Sequence, residues 1–350
     1  MVTTDSTTTQ LQERVHRLLT ERSVDLFLGY KQGSNPLRIT PYVVQDAAAV
    51  DKLIWNLACV NNLVTTLHKY AGQKVGILVK ACDARSLIEL LKLHQVKREN
   101  LHIIGVPCIG ILDAAKVAEE CTAASMSSMT IQADQVVLVA GQSVITRDRA
   151  DLLVAKCQTC TTPLPAIYDE LLEAPIAQPA PFHPSQLPPT ETASLSSVSV
   201  EAGSLSPASG GTGEGERFAS VTALEQQDVT DRFAFWTEQL SKCTLCYACQ
   251  TVCPLCFCKE CTVTLARGDL KRKQRNRESV FAFHLMRAYH MLGRCTGCYE
   301  CERVCPVDIP LNLIFKKVEK DALELFGYAA GCDVTETPPL SMFAENDPEG

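Results

Sequence analysis

Apolar positions fall at helical spacing over Thr9–Arg22, where Leu11, Val15, Leu18 and Leu19 share a face behind a Thr-rich start suited to N-capping. Short β-branched or apolar runs at Val24–Tyr30, Val75–Lys80, His102–Val106 and Val136–Ile145 predict strands. The stretches Ala47–Tyr70, Ala84–Gln95 and Leu112–Thr122 predict helices. Alternation of strand and helix predicts a largely parallel sheet with helices packed on it, an α/β domain over residues 1–162.

The pattern then breaks. Residues 163–217 hold a series of prolines from Pro163 to Pro207, a Ser-rich run and Gly210–Gly215. Such a composition buries too little apolar surface to offset ordering entropy, so it predicts a disordered tether, stiff in its Pro-rich half and flexible in its Ser/Gly half. Ala166–Leu172 is an exception, short and apolar enough to dock on a neighbour. The tether is expected to let the C-terminal half of the chain move relative to the first. Residues 218–334 show three further helical stretches, Ala223–Ser241, Glu278–Leu292 and Leu311–Phe326, and 335–350 read as a loose tail.

Composition narrows the function class. A net charge of −7 gives no electrostatic reason to expect nucleic acid. No run reaches the roughly 18 apolar residues of a membrane span, and Met1–Gln10 has neither a basic nor an apolar leader region. The expectation is a cytoplasmic protein. Its 18 cysteines, in a chain far longer than a secreted disulfide scaffold, point to metal ligation in a reducing compartment.

Eight of those cysteines form a repeat. Cys243-x2-Cys246-x2-Cys249-x3-Cys253-Pro254 recurs as Cys295-x2-Cys298-x2-Cys301-x3-Cys305-Pro306. This is the run that bacterial ferredoxins use for [4Fe-4S] clusters. Three thiolates at this spacing wrap one cube on a tight loop, while the fourth must come from elsewhere. In two-cluster ferredoxins the fourth cysteine of each run serves the other cluster. On that pattern Cys243, Cys246, Cys249 and Cys305 hold cluster 1, and Cys295, Cys298, Cys301 and Cys253 hold cluster 2. Structural zinc needs only four ligands and gains nothing from the doubled run. The expected fold here is an α+β two-cluster ferredoxin-like domain with helical flanks.

The 41 residues between the runs carry Cys256, Cys258 and Cys261. Replacement of a usual ligand, a second metal site, a thiol pair and plain burial all fit them. The basic string Lys271, Arg272, Lys273, Arg275 and Arg277 fits an acidic partner surface or a solvated face. His284 and His290, flanking Arg287 among apolar neighbours, read as packing or supporting residues rather than ligands.

The α/β region holds six more cysteines. Cys59, Cys82 and Cys108 stand where predicted strands end or helices begin, and Cys157-x2-Cys160 precedes the tether. Loops at the carboxyl ends of strands are where ligands gather in open α/β sheets. Cys121 lies apart.

At these residues the sequence resembles the coenzyme F420 hydrogenase/formate dehydrogenase beta-subunit family. The likeness rests on Val79-Lys-Ala-Cys-Asp-Ala-Arg-Ser-Leu87 followed by Ile104-Gly-Val-Pro-Cys-Ile-Gly110. The Cys243–Cys261 string and Phe283-His-Leu-Met-Arg-Ala-Tyr-His290 extend it toward the formate dehydrogenase form. It covers most of the chain outside the tether and tails. The resemblance implies a third [4Fe-4S] cluster drawn from Cys59, Cys82, Cys108, Cys157 and Cys160, and FAD in flavin-binding members. No Gly-x-Gly-x-x-Gly fingerprint is present; Lys80 and Arg85 fit a phosphate contact and surface charges equally well.

The expected function is an iron–sulfur electron-transfer subunit of a formate dehydrogenase, hydrogenase or heterodisulfide-reductase-type complex in an anaerobe, with no catalytic residue of its own. The rival readings are a self-contained flavin-dependent oxidoreductase using F420, a nicotinamide or ferredoxin, and a regulatory iron–sulfur protein.

Overall fold

Helix α1 (Ser6–Thr20) opens the computed structural model, burying Leu11, Val15 and Leu18 as the spacing predicts. The structure describes residues 6–121, 126–132, 134–173, 217–259, 261 and 276–341. Most of the expected tether (174–216), the basic string from 271 to 275 and the tail beyond 341 lie outside the described residues.

Among the described residues the strands are β1 (Leu26–Gln32), β2 (Ile39–Val44), β3 (Val75–Val79), β4 (Leu101–Gly105), β5 (Met126–Gln132), β6 (Gln135–Ala140), β7 (Ser143–Asp148) and β8 (Glu170–Leu171). Five form one sheet in the order β2-β1-β3-β4-β8, parallel except for β2. Every residue of β3 is buried, as in a parallel sheet covered on both faces. The short apolar segment Ala166–Leu172 docks as β8, pairing Glu170 and Leu171 with Ile104 and Gly105.

Two sequence expectations fail here for local reasons. The helix expected over Ala47–Tyr70 is two 3-10 helices, Ala47–Lys52 and Leu63–Tyr70. The Asp46 and Asn62 side chains accept from the Ala48 and Val64 N–H groups and start each turn afresh. The strand expected over Val136–Ile145 is a hairpin, because Gly141 takes a left-handed φ of 61° between β6 and β7. With β5 these strands form a separate antiparallel sheet.

The longer helices are α2 (Ala81–Lys92), α3 (Ala114–Glu120), α4 (Ala219–Glu225), α5 (Val229–Ser241), α6 (Arg277–His290) and α7 (Leu311–Phe326). The lead-in helix expected over Ala223–Ser241 is broken before Asp228, whose carboxylate caps α5 by accepting from the Asp231 and Thr230 N–H groups. Of the expected α+β makeup of the C-terminal part, only helix and loop are found among its described residues.

The two halves share one hydrophobic core. It runs from Ile77, Leu78 and Val79 in the sheet to Leu240, Val280, Phe283, Met291, Ile309 and Phe315. Helix α2 is the plank between them, with its polar face buried too. Arg85 pairs with Glu319 at 3.0 Å and donates to the Ala330 carbonyl at 2.9 Å. Ser86 meets Thr296 at 2.9 Å, and Glu89 accepts from Tyr328 and the Gly331 N–H at 2.8 and 2.6 Å. A Cβ on Gly331, whose φ is 73°, would stand 2.4 Å from the Arg85 carbonyl oxygen. The C-terminal half is therefore docked rather than free to swing. At the start of the expected loose tail, Pro339 is buried and packs on Gly293.

Candidate metal centre

The two cysteine runs fold alike. Tyr247 (φ 61°, ψ 10°) and Tyr299 (φ 60°, ψ 9°) are left-handed at matching positions, each opening a four-residue helix that carries the third cysteine. Two residues into each run, Leu245 (φ 53°) and Gly297 (φ 63°) are left-handed as well. Non-glycine residues in this region are strained unless their surroundings hold them there. The loop curls inward, and the Leu245 N–H points to the Cys243 Sγ at 3.4 Å. The Ile309 N–H does the same for Cys305 Sγ at 3.5 Å.

The fourth cysteine of each run crosses over. Cys243, Cys246, Cys249 and Cys305 line one cavity, together with Phe283, His284 and Ile309. Cys295, Cys298, Cys301 and Cys253 line a second, with Arg287, Met291 and Phe315. These are the two quartets expected from the ferredoxin pattern. Among the described residues no three His, Cys, Asp or Glu side chains stand close enough to share one metal ion. Four sulfurs about a single zinc would lie roughly 3.8 Å apart. Sulfurs spread around the wall of a cavity suit a cubane, where each thiolate binds a different iron.

A third cavity, of about 290 Å³, is lined by Cys82, Cys108, Cys157 and Cys160. Cys82 stands in the first turn of α2 where β3 ends, and Cys108 follows β4, its N–H bonded to the Pro163 carbonyl at 2.9 Å. The carboxyl edge of the sheet thus gathers four of the five expected cysteines. The fifth, Cys59, is fully buried and is not among the residues that line this cavity, its Sγ accepting from the Asn56 N–H at 3.4 Å. Cys121 packs against the hairpin.

Burial pushes the thiols up, to about 12 for Cys59, Cys108 and Cys295. Cys82 and Cys301 also rise, again because of burial. Thiolates in these cavities would need a cationic centre to offset desolvation, and an iron core would supply one. Cys256 moves the other way, held below the usual thiol range by the neighbouring Cys253 sulfur and by Arg287. Of the three cysteines Cys256, Cys258 and Cys261, Cys256 is half-buried beside Cys253, its N–H donating to the Cys253 carbonyl at 3.2 Å, while Cys258 is exposed.

Cations occupy the walls between the cavities. Lys156 donates to the Cys298 carbonyl at 2.6 Å, and Gly297, Tyr299 and Lys316 line both the second and third cavities. Arg287 lines the second and donates to Cys249 Sγ of the first at 3.2 Å. Nothing in the sequence pattern marks these bridging roles. Lys80 and Arg85, read from sequence as phosphate contacts or surface charges, are both buried and paired with carboxylates. Lys80 is buried against Asp83 (2.8 Å), Tyr30 (2.7 Å) and the Asn61 carbonyl (2.8 Å).

A pattern of this kind defines an iron–sulfur protein, and residues 239–309 match the family described as 4Fe-4S dicluster domain. Over most of its length the chain is similar to formate dehydrogenase beta subunits. It is 24% identical to the F420-dependent formate dehydrogenase subunit beta of Methanocaldococcus jannaschii, over 92% of this chain and 91% of the relative. It is 25% identical to the F420-dependent formate dehydrogenase 1 subunit beta of Methanococcus maripaludis, over 92% and 90%. A chain from a xenon-derivatised F420-reducing [NiFe] hydrogenase complex of Methanosarcina barkeri aligns at 15% identity and a TM-score of 0.36. That alignment covers 45% of this chain and 58% of the other. No helix among the described residues is long and apolar enough to cross a membrane.

Proposed function

We propose that this chain is the electron-relay subunit of a formate dehydrogenase-type complex, working in the cytoplasm of an anaerobe beside a catalytic subunit. The observation that carries the reading is the series of three neighbouring cavities, each lined by four cysteines. Cys243, Cys246, Cys249 and Cys305 would hold one [4Fe-4S] cluster; Cys295, Cys298, Cys301 and Cys253 a second; Cys82, Cys108, Cys157 and Cys160 a third. Such clusters accept and release single electrons over a wide range of potentials set by hydrogen bonds, charge and burial. The chain's own part is to hold the thiolates, keep water from them and fix the charges between them. With Lys80 and Arg85 both committed to buried ion pairs, neither is free to hold a flavin phosphate.

The test is anaerobic purification of the tagged protein from its own cells, with iron, sulfide and flavin quantified. Roughly twelve irons per chain and a co-purifying formate-oxidising, hydrogenase-like or heterodisulfide-reductase-like subunit are expected. A lone protein with stoichiometric flavin would replace the relay reading with the self-contained oxidoreductase.

A further inference from the structure

The buried face of α6 carries Val280, Phe283, His284, Arg287 and Ala288, so a permanent cation occupies a core position. Arg287 is only 3% exposed. Its guanidinium donates to Cys249 Sγ and to the Cys249 carbonyl, both at 3.2 Å, and lies over the rings of Phe283 and Phe315. Its Nε has no partner, and no carboxylate pairs with it among the described residues. An unpaired buried charge is strongly unfavourable. The sulfurs it faces are Cys249 of the first quartet and Cys253 and Cys301 of the second, which as cluster ligands would be its counter-anions.

We propose that Arg287 is the residue that sets the reduction potentials of both clusters of the dicluster domain, an inference that rests on the cluster reading above. Reduction adds one negative charge to a cluster. A fixed positive charge in the wall between the two cavities stabilises that reduced state in each and raises both potentials. Because a guanidinium does not deprotonate, the contribution is constant with pH. The direct N–H···S bond makes the effect largest at the cluster held by Cys249. Arg287 acts through the thiolates and is a positioning residue in this sense.

The test is an EPR-monitored redox titration of the full chain, purified anaerobically, with wild type, Arg287→Gln and Arg287→Lys compared. Gln keeps a donor and loses the charge; Lys keeps the charge. In Arg287→Gln both midpoints are expected to fall, with the oxidised-to-reduced ratio at fixed potential shifting about tenfold or more, roughly 59 mV for one electron. In Arg287→Lys they should stay within about threefold of wild type on the same scale. A Gln variant with full iron and unmoved midpoints overturns the proposal, and so does a Lys variant that falls as far as Gln. If the Gln variant fails to load iron, the Lys variant decides alone: retained midpoints support the proposal and a tenfold fall overturns it. A wild-type protein without the roughly eight irons of a dicluster would instead remove the reading on which the inference stands.

Discussion

Cys305 belongs to the second run in sequence and to the first run's cavity in space. Cys305→Ala should therefore deplete the cluster of Cys243, Cys246 and Cys249 while sparing its neighbour, removing about four irons per chain. Retention of that EPR signal with loss of the other would refute the crossover. In the N-terminal half the structure separates two cysteines that look alike in sequence. Cys108→Ala should lose a cluster, again about four irons, whereas Cys59→Ala should keep all of them. Equal iron loss in both would place Cys59 among the ligands. The grouping of Cys305 with the first run and Cys253 with the second is what the repeat and the ferredoxin pattern lead one to expect, and the cavity linings group them the same way. The choice among Cys59, Cys82, Cys108, Cys157 and Cys160 was not legible in the sequence, since spacing does not say which way a turn aims its thiol. The role of Arg287 was hidden for a related reason: one arginine between two histidines on an apolar helix face looks like packing until its partners are known.

Elements were readable where local signals agreed. Helix α7 runs from Leu311 to Phe326 as expected, between Pro310 and a left-handed Gly327 that closes it. The docking of the halves left no such trace, because Arg85, Ser86, Glu89 and Lys92 resemble a solvated helix face in sequence. Burial would push the Glu319 carboxyl up, but Arg217 and Arg85 outweigh it and hold it below the usual carboxylate range. A group depressed in this way stabilises the fold above its unfolded value of 4.5, and that stabilisation is lost as pH falls through the folded value. Glu319→Gln should thus destabilise the chain by about 3 kcal/mol at neutral pH, since it leaves two arginines buried without their anion. Urea unfolding at pH 7 and near pH 4 measures it. The gap between variant and wild type should narrow at the lower pH; an unchanged gap would mean that Glu319 acts by shape alone.

At the scale of the molecule, the question is whether a chain that reads as two domains and a tether behaves as two. A composition break and a cysteine-dense second half argue for independence, and in sequence nothing contradicts them. The structure supplies the contrary facts: one continuous apolar core, a helix with both faces buried, and polar bonds from Thr65, Arg85, Ser86, Glu89 and Lys156 across the junction. Separating the halves would expose that core and strand the Arg85–Glu319 and Glu89–Tyr328 pairs, so neither half is expected to outlast the other. The chain's two tryptophans report on this directly, since Trp55 is buried in the first half and Trp236 lies on α5 in the second. Single-tryptophan proteins, made with Trp236→Phe and Trp55→Phe, should unfold in urea at coincident midpoints, as a single cooperative unit does. Coincidence means that the cluster-bearing half is held in fixed register with the sheet, so the spacing of the cavities, and not a swinging arm, governs any transfer between them. Two separated midpoints would restore independent domains, and with them the need for motion in the relay.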